Sequence, residues 1–308
     1  MKKLAIGIDI GGTRTKIGLV DLSTGQVLET LIQPTETKNA ARFEQTIGEA
    51  IQTLKTKAVK LQADLLGIGI GVSSFVHANG LVDSTYGFVD FMEDYPLAQI
   101  METQHVLPCR IDNDARLVAL GEAIYGRGRG FERVLVLTLG TGLGLGFVVN
   151  QQLDGKLPYA HMGGHMSILQ NDVTCYCGKT GCLESLVSAT GILAAAERSN
   201  WPAQNPELPF SVESIFQASA VGNAGATALI DAFIDQLKTG IANYINLYAP
   251  NVIVLGGGVA KGLAPYLSRL LNTDLLGPYK GYQTSITISE LEELAGILGA
   301  AVLLSQTA

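Results

Sequence analysis

The chain has 308 residues, of which 47% are hydrophobic and 16% charged, with a formal net charge of -7. That mixture is too apolar for a disordered chain, and the acidic balance, with a pI near 5.1, excludes the basic footprint that nucleic-acid binding requires. Asp9 and the pair Gly11-Gly12 interrupt the apolar start, and no apolar run reaches the ~18 residues of a membrane span, so a cytoplasmic protein acting on small molecules, with no membrane partner, is expected.

The length exceeds what one hydrophobic core supports, and about two domains with a cleft between them are expected. Along the chain, LAIGID, TKIGLVD and QVLETLIQ alternate with turns at Gly11-Gly12 and Ser23-Thr24-Gly25, which predicts a three-stranded meander. The stretch ARFEQTIGEAIQTLKTKAV follows, and its Phe43, Ile47, Ile51 and Leu54 recur at helical spacing. LLGIGIGV reads as a short buried strand, and ARLVALGEAIYG as a helix. The opening pattern then recurs as strand VLVLTLG, glycine turn TGLGLG, strand FVVN and turn QQLDG. NWPAQNPELPF, with three prolines, reads as a surface loop between helices. Helix ALIDAFIDQLKTGIANYINLYA leads into strand NVIVLGGG, and LEELAGILGAAVLL closes the chain as an amphipathic helix. Such alternation predicts an α/β protein with a mixed sheet in each half.

Two glycine turns follow apolar strands, Asp9-Ile10-Gly11-Gly12-Thr13 and Gly140-Thr141-Gly142-Leu143-Gly144. Bare backbone N–H groups and a Thr hydroxyl suit polyphosphate oxygens, and Asp9 can hold Mg2+ through water. Tight hairpins alone would explain either turn. Their recurrence at matching points of a repeated unit, with Gly256-Gly257-Gly258 after a third buried strand, favours a clamp for one ATP. No G-x-G-x-x-G occurs, which removes a dinucleotide dehydrogenase, and Gly178-Lys179-Thr180 lacks the first glycine of a P-loop because Val173 stands there.

Asn113 and Asp114 stand directly before a helix pattern. Capping is the plainer reading. The helix N-terminus also favours an ionised carboxylate, and phosphoryl transfer needs one group to receive the proton of the attacking hydroxyl, so Asp114 is a candidate base. Asn113 carries an amide that can orient an acceptor hydroxyl.

His165, Cys175, Cys177 and Cys182 form H-x9-C-x-C-x4-C. This set matches a closed, structural Zn2+ site better than it matches buried reduced thiols. Gly178 and Gly181 allow the tight fold such a loop needs. Cys109 stands alone and reads as a small buried side chain. Glu184, two residues beyond Cys182, reads as a surface residue or as a group aimed at an acceptor hydroxyl by the ordered loop.

Together DIGGT, DNDA, GTGLGLG, the Gly-His pair and CYCGKTGCLE resemble the ROK family of bacterial sugar kinases, glucokinase-like proteins and related repressors, over nearly the whole chain. The resemblance implies two actin-like, hexokinase-like (ribonuclease H-like) α/β domains with an interdomain cleft. Residues 1–117 with 293–308 would form the N-terminal domain, and 118–292, with the zinc loop, the C-terminal one. It implies ATP-dependent phosphorylation of a hexose or hexose derivative with Asp114 as base, Asn113, His165 and Glu184 on the sugar, Zn2+ in the loop, and a homodimer. GGGV at Gly256 resembles the family's adenosine-side loop.

Departures fall on the sugar side. Met162 stands where the family places a sugar-binding Glu, Ser73-Ser74 replaces a Pro-Gly, and YGFVDFMEDYPL lacks the Asn often found before its aromatic. The alternative expectation is therefore a catalytically impaired sugar-binding or ligand-sensing member. A DNA-binding repressor is disfavoured by the acidic pI and by the eight residues that precede Asp9.

Overall fold

The structure is a computed structural model and describes residues 2–85, 87–153, 161–170, 172–270 and 281–306. Its elements in chain order are β1 (Lys3–Ile10), β2 (Arg14–Asp21), β3 (Gln26–Pro34), α1 (Ala40–Lys60), β4 (Asp64–Val72), β5 (Phe75–Val76), β6 (Val82–Asp83), α2 (Leu97–His105), β7 (Cys109–Asn113), α3 (Asp114–Tyr125), β8 (Arg133–Leu139), β9 (Leu143–Val149) and β10 (Gln152–Leu153). They continue with α4 (Glu184–Val187), α5 (Ala189–Arg198), α6 (Trp201–Gln204), α7 (Val212–Ala220), α8 (Ala224–Tyr248), β11 (Val252–Gly256), α9 (Leu267–Leu270), β12 (Ser285–Ile288) and α10 (Ala295–Leu303). The strand orders β3-β2-β1-β4-β7 and β10-β9-β8-β11-β12 repeat one pattern twice. This is the duplicated α/β architecture of the actin-like, hexokinase-like class.

Two compact units divide the chain: Met1–Glu132 with Gly146–His161 and Glu290–Ala308, and Arg133–Leu145 with Met162–Ser289. In the first, β1, β2 and β3 form the antiparallel meander, and β4 and β7 extend it in parallel. Period-2 alternation sends Leu4, Ile6 and Ile8 to one face, where the α1 stripe of Phe43, Ile47, Ile51 and Leu54 covers them. Ala5 and Val20 turn to the other face, against Ile297, Leu298 and Ala301 of α10.

α10 differs from the amphipathic helix expected, because all nine of its residues are buried. It lies between the sheet and α3, so no face is left for polar residues. Glycines make that approach possible. A Cβ on Gly69 would lie 1.7 Å from the Ala300 carbonyl oxygen, and one on Gly299 1.7 Å from that of Leu117.

In the second unit, the apolar strands β8, β11 and β12 run parallel, and α8 buries Ile230, Phe233, Ile234, Leu237 and Ile241. The glycine turn after β8 is shorter than TGLGLG. Leu143-Gly144-Leu145-Gly146 belongs to β9, because its leucines alternate and Leu143 and Leu145 are buried. Asn150 and Gln151 take positive φ at the β9–β10 turn, while Asp154 and Gly155 of the expected QQLDG turn lie outside the described residues. Part of NWPAQNPELPF is helical rather than loop: Trp201 is fully buried and starts α6, with Pro202 in its first turn. Among the described residues no helix is long and apolar enough to cross a membrane.

Candidate active site and metal centre

In the first unit, the carboxyl ends of the parallel strands β1, β4 and β7 carry Asp9, Ser73-Ser74 and Asn113-Asp114, with Ile10, Val72 and Asn113 in register. Strand ends of this kind are where open α/β sheets place ligands. β7 runs into α3 with no loop between them. Asn113 caps the helix, its Oδ1 accepting from the N–H groups of Ala115 at 3.0 Å and Arg116 at 3.2 Å. Its Nδ2 donates to the Ser74 carbonyl, which leaves one amide hydrogen uncommitted among the bonds described. Asp112 holds the Arg116 guanidinium at 2.8 Å and accepts from the Asn113 N–H, which fixes the strand-to-helix corner.

Asp114 thus begins α3 as a half-buried residue. The Ala115 N–H donates to its carboxylate at 2.8 Å. Burial and the neighbouring charge of Asp9 push its carboxyl up to about 6, against the opposing pull of bonds from Ala115 and Ser73. The helix terminus therefore does less than the sequence suggests, and its hydrogen bonds are outweighed by desolvation. A carboxyl of this kind is mostly ionised at neutral pH and close to the optimum for a general base.

Asp9 is also raised, by burial first, although Lys16 lies 3.8 Å away; Glu293 adds to the rise. Three carboxylates, Asp9, Asp114 and Glu293, therefore influence one strand edge, an arrangement that a divalent cation would relieve. At the adjoining turn the Gly11 N–H is used by the Arg14 carbonyl, while Gly12 and Thr13 are exposed. The Phe88 ring lies over Gly12, where a Cβ would come within 3.1 Å of it.

The second unit gathers the other residues. Gly140-Thr141-Gly142 links β8 to β9, and the space beside Gly140 is open. Glu184 is buried rather than a surface residue: its Oε2 accepts from the Leu143 N–H at 3.0 Å, and a Cβ on Gly142 would lie 2.9 Å from it. Gly257 takes φ +84 one residue beyond β11, and there a Cβ would strike the Leu139 carbonyl oxygen at 2.3 Å. Gly258 faces open space.

His165 ends a short 3-10 turn, Met162–His165. The Tyr244 hydroxyl donates to the Gly163 carbonyl at 2.9 Å and holds that turn in place. The ligand atoms of His165, Cys175, Cys177 and Cys182 lie within 4.8 Å of one another. Cys177 Sγ is 3.6 Å from Cys182 Sγ, and Cys175 Sγ is 3.5 Å from His165 Nδ1. A tetrahedral zinc ion would require edges of about 3.8 Å between two sulfurs and about 3.6 Å between sulfur and nitrogen, so the donor set fits the ion. Gly178 and Gly181 take φ of 85° and 69°, the conformation that folds the loop around the site. Burial lowers His165, which favours the neutral imidazole that binds metal. Cys109 stands apart, its thiol pushed up to about 12 by burial and therefore unreactive.

The ROK family model matches residues 5–307. The chain belongs to the ROK family. A glucokinase of Halalkalibacterium halodurans is 33% identical over 272 residues, covering 83% of this chain and 80% of the relative. A ROK hexokinase from Thermus thermophilus superimposes with a TM-score of 0.83 at 26% identity, with 97% of each chain covered. A ROK family glucokinase from Streptomyces griseus, solved with glucose and AMPPNP, gives a TM-score of 0.79 at 27% identity, covering 97% of this chain and 98% of that one.

Sequence reasoning treated Ser73-Ser74 only as a departure, yet these two residues hold Asp114 and Asn113. Lys16 was missed altogether. The DIGGT turn implied a basic residue nearby only through its hairpin partner, since Lys16 pairs with Asp9 across β1 and β2.

Proposed function

We propose that this ROK protein transfers the terminal phosphoryl group of ATP to a hydroxyl of a hexose or hexose derivative, with Asp114 as the general base. The observation that carries the reading is the Asp114 carboxyl, fixed at the start of α3 on a strand edge and poised near pH 6 by burial and Asp9. The sugar oxygen attacks the γ-phosphorus while its proton passes to the Asp114 carboxylate. The new O–P bond forms as the β,γ-bridging P–O bond breaks, and ADP leaves with that oxygen.

Gly11, Gly12, Thr13, Gly140, Thr141 and Gly142 are assigned to the phosphates, and Gly256, Gly257 and Gly258 to the adenosine side. Asp9 would hold Mg2+, which supplies charge neutralisation at the phosphates. On the sugar, Asn113 acts as a donor, since its oxygen is spent on capping; His165 Nε2 and the Glu184 carboxylate take further hydroxyls. His165, Cys175, Cys177 and Cys182 hold Zn2+ with no open position, which makes its role structural. The protein is assigned to the cytoplasm as a homodimer, in keeping with its acidic charge and family.

A coupled ADP-release screen over glucose, mannose, allose, fructose and the N-acetylated hexosamines tests the reading. Wild type is expected to turn over at least one of them, and Asp114→Asn to lose roughly 10²- to 10⁴-fold in turnover while still binding that sugar. Equal rates for the two proteins would sink the base assignment. Sugar binding without any turnover by wild type would point instead to a ligand-sensing protein.

A further inference from the structure

Tyr176 lies inside the cysteine loop, between two proposed metal ligands, and no role described so far uses it. The residue is 62% exposed, yet its hydroxyl reaches the His165 ring. The hydroxyl lies 3.1 Å from His165 Nε2 and is hydrogen-bonded to the Glu184 carboxylate, with the ring edge-on to the imidazole at 5.1 Å between centroids. The direction of these bonds follows from His165 itself. Nδ1 faces Cys175 Sγ, and with a metal ion or a thiol proton on its lone pair the neutral ring carries its proton on Nε2. The Tyr176 oxygen accepts that proton, and its own O–H donates to Glu184.

A sugar hydroxyl bound by His165 and Glu184 would make the same two bonds in the same directions. We propose that Tyr176 is a built-in competitor for the substrate: its phenol fills the slot between His165 Nε2 and the Glu184 carboxylate until a sugar hydroxyl displaces it. This inference rests on the reading of those two residues as sugar ligands. Displacement is inexpensive because the exposed ring can swing outward and its hydroxyl can bond to water instead. Tyr176 would then set the sugar concentration at which the enzyme works without touching the phosphoryl transfer.

The test is Tyr176→Phe in the full-length protein, with KM and kcat measured on the sugar that wild type accepts from the panel above and metal content measured by elemental analysis. The phenylalanine keeps the edge-on ring contact and removes the competing oxygen. KM is expected to fall about threefold to tenfold, the effect of one exposed hydrogen bond, with a smaller change in kcat and no loss of metal. An unchanged or higher KM overturns the proposal, the latter because the phenol would then be a sugar ligand. Loss of metal overturns it too, since Tyr176 would then be supporting His165. Glu184→Gln separates this inference from the reading beneath it. If that variant raises KM tenfold while Tyr176→Phe has no effect, the sugar subsite stands and only the competitor falls. If Glu184→Gln leaves KM unchanged, the subsite assignment fails and the competitor with it.

Discussion

The corner that carries Asp114 and the loop that carries the cysteines solve the same problem, holding a polar group in place, by opposite means. Asp114 inherits its position from β7, α3 and a cap whose every partner is protein backbone or a short side chain. Among its described residues, the loop from His165 to Cys182 shows two isolated bridges, Ser167 to Cys182 and Thr174 to Thr180, and a handful of turn bonds. Regular structure can hold a carboxyl against its own desolvation, as the raised Asp114 shows. A loop with so little ladder gains from a coordinate anchor, which the donors of His165, Cys175, Cys177 and Cys182 would provide with a metal ion bound.

The contrast can be broken in several ways. The largest effect expected is the loss of turnover in Asp114→Asn, and it should come without loss of stability. Because the native carboxyl is raised, it stays protonated from about pH 4 to about 6 where an unfolded one is ionised, so it opposes folding increasingly as pH climbs through that window. Asp114→Asn should therefore match or exceed wild-type stability at pH 7.5 and lose the advantage at pH 4, as read by chemical denaturation. Next comes removal of the metal, by a chelator or by Cys182→Ser. It should raise KM for the sugar roughly 10- to 100-fold and expose the loop to hydrogen exchange, while β1, β4 and α10 stay protected. A metal-free protein with a fully protected loop would erase the contrast.

Gly69→Ala tests the other side. Its methyl must displace the Ala300 carbonyl, at an expected cost of about 1–3 kcal/mol, with metal content unaffected. The mildest effect is on pH dependence: kcat/KM should rise about tenfold per unit below about pH 6 and level off above it, following ionisation of Asp114. A flat profile between pH 5 and 7 would remove Asp114 from the rate law.

The sequence-legible features were those governed by local periodicity. The meander, the α1 stripe and the helix after Asn113 all follow from spacing, and the order of the glycine motifs carried the family. What stayed hidden depended on long-range packing. The stretch LEELAGILGAAVLL reads as amphipathic because Glu292 and Glu293 open it, but both precede α10, whose burial depends on glycines in β1, β4 and α3 that no local pattern joins to it. The burial of Glu184 stays hidden because nothing in CLESL reveals that a backbone N–H forty-one residues earlier will bind it. The poise of Asp114 likewise depends on Asp9, whose nearness comes from strand register rather than sequence distance.

The packing of α10 against β1, β4 and α3 also bears on how the protein is made. A ribosome releases the glycine-floored groove for this helix long before residues 295–303 emerge, so the first unit leaves the exit tunnel as an unfinished body with an open apolar trough. The second unit, residues 133–145 with 162–289, has emerged in full during that interval. Synthesis would thus favour closure of the later-encoded unit first, with the earlier one completed once residues 295–303 emerge.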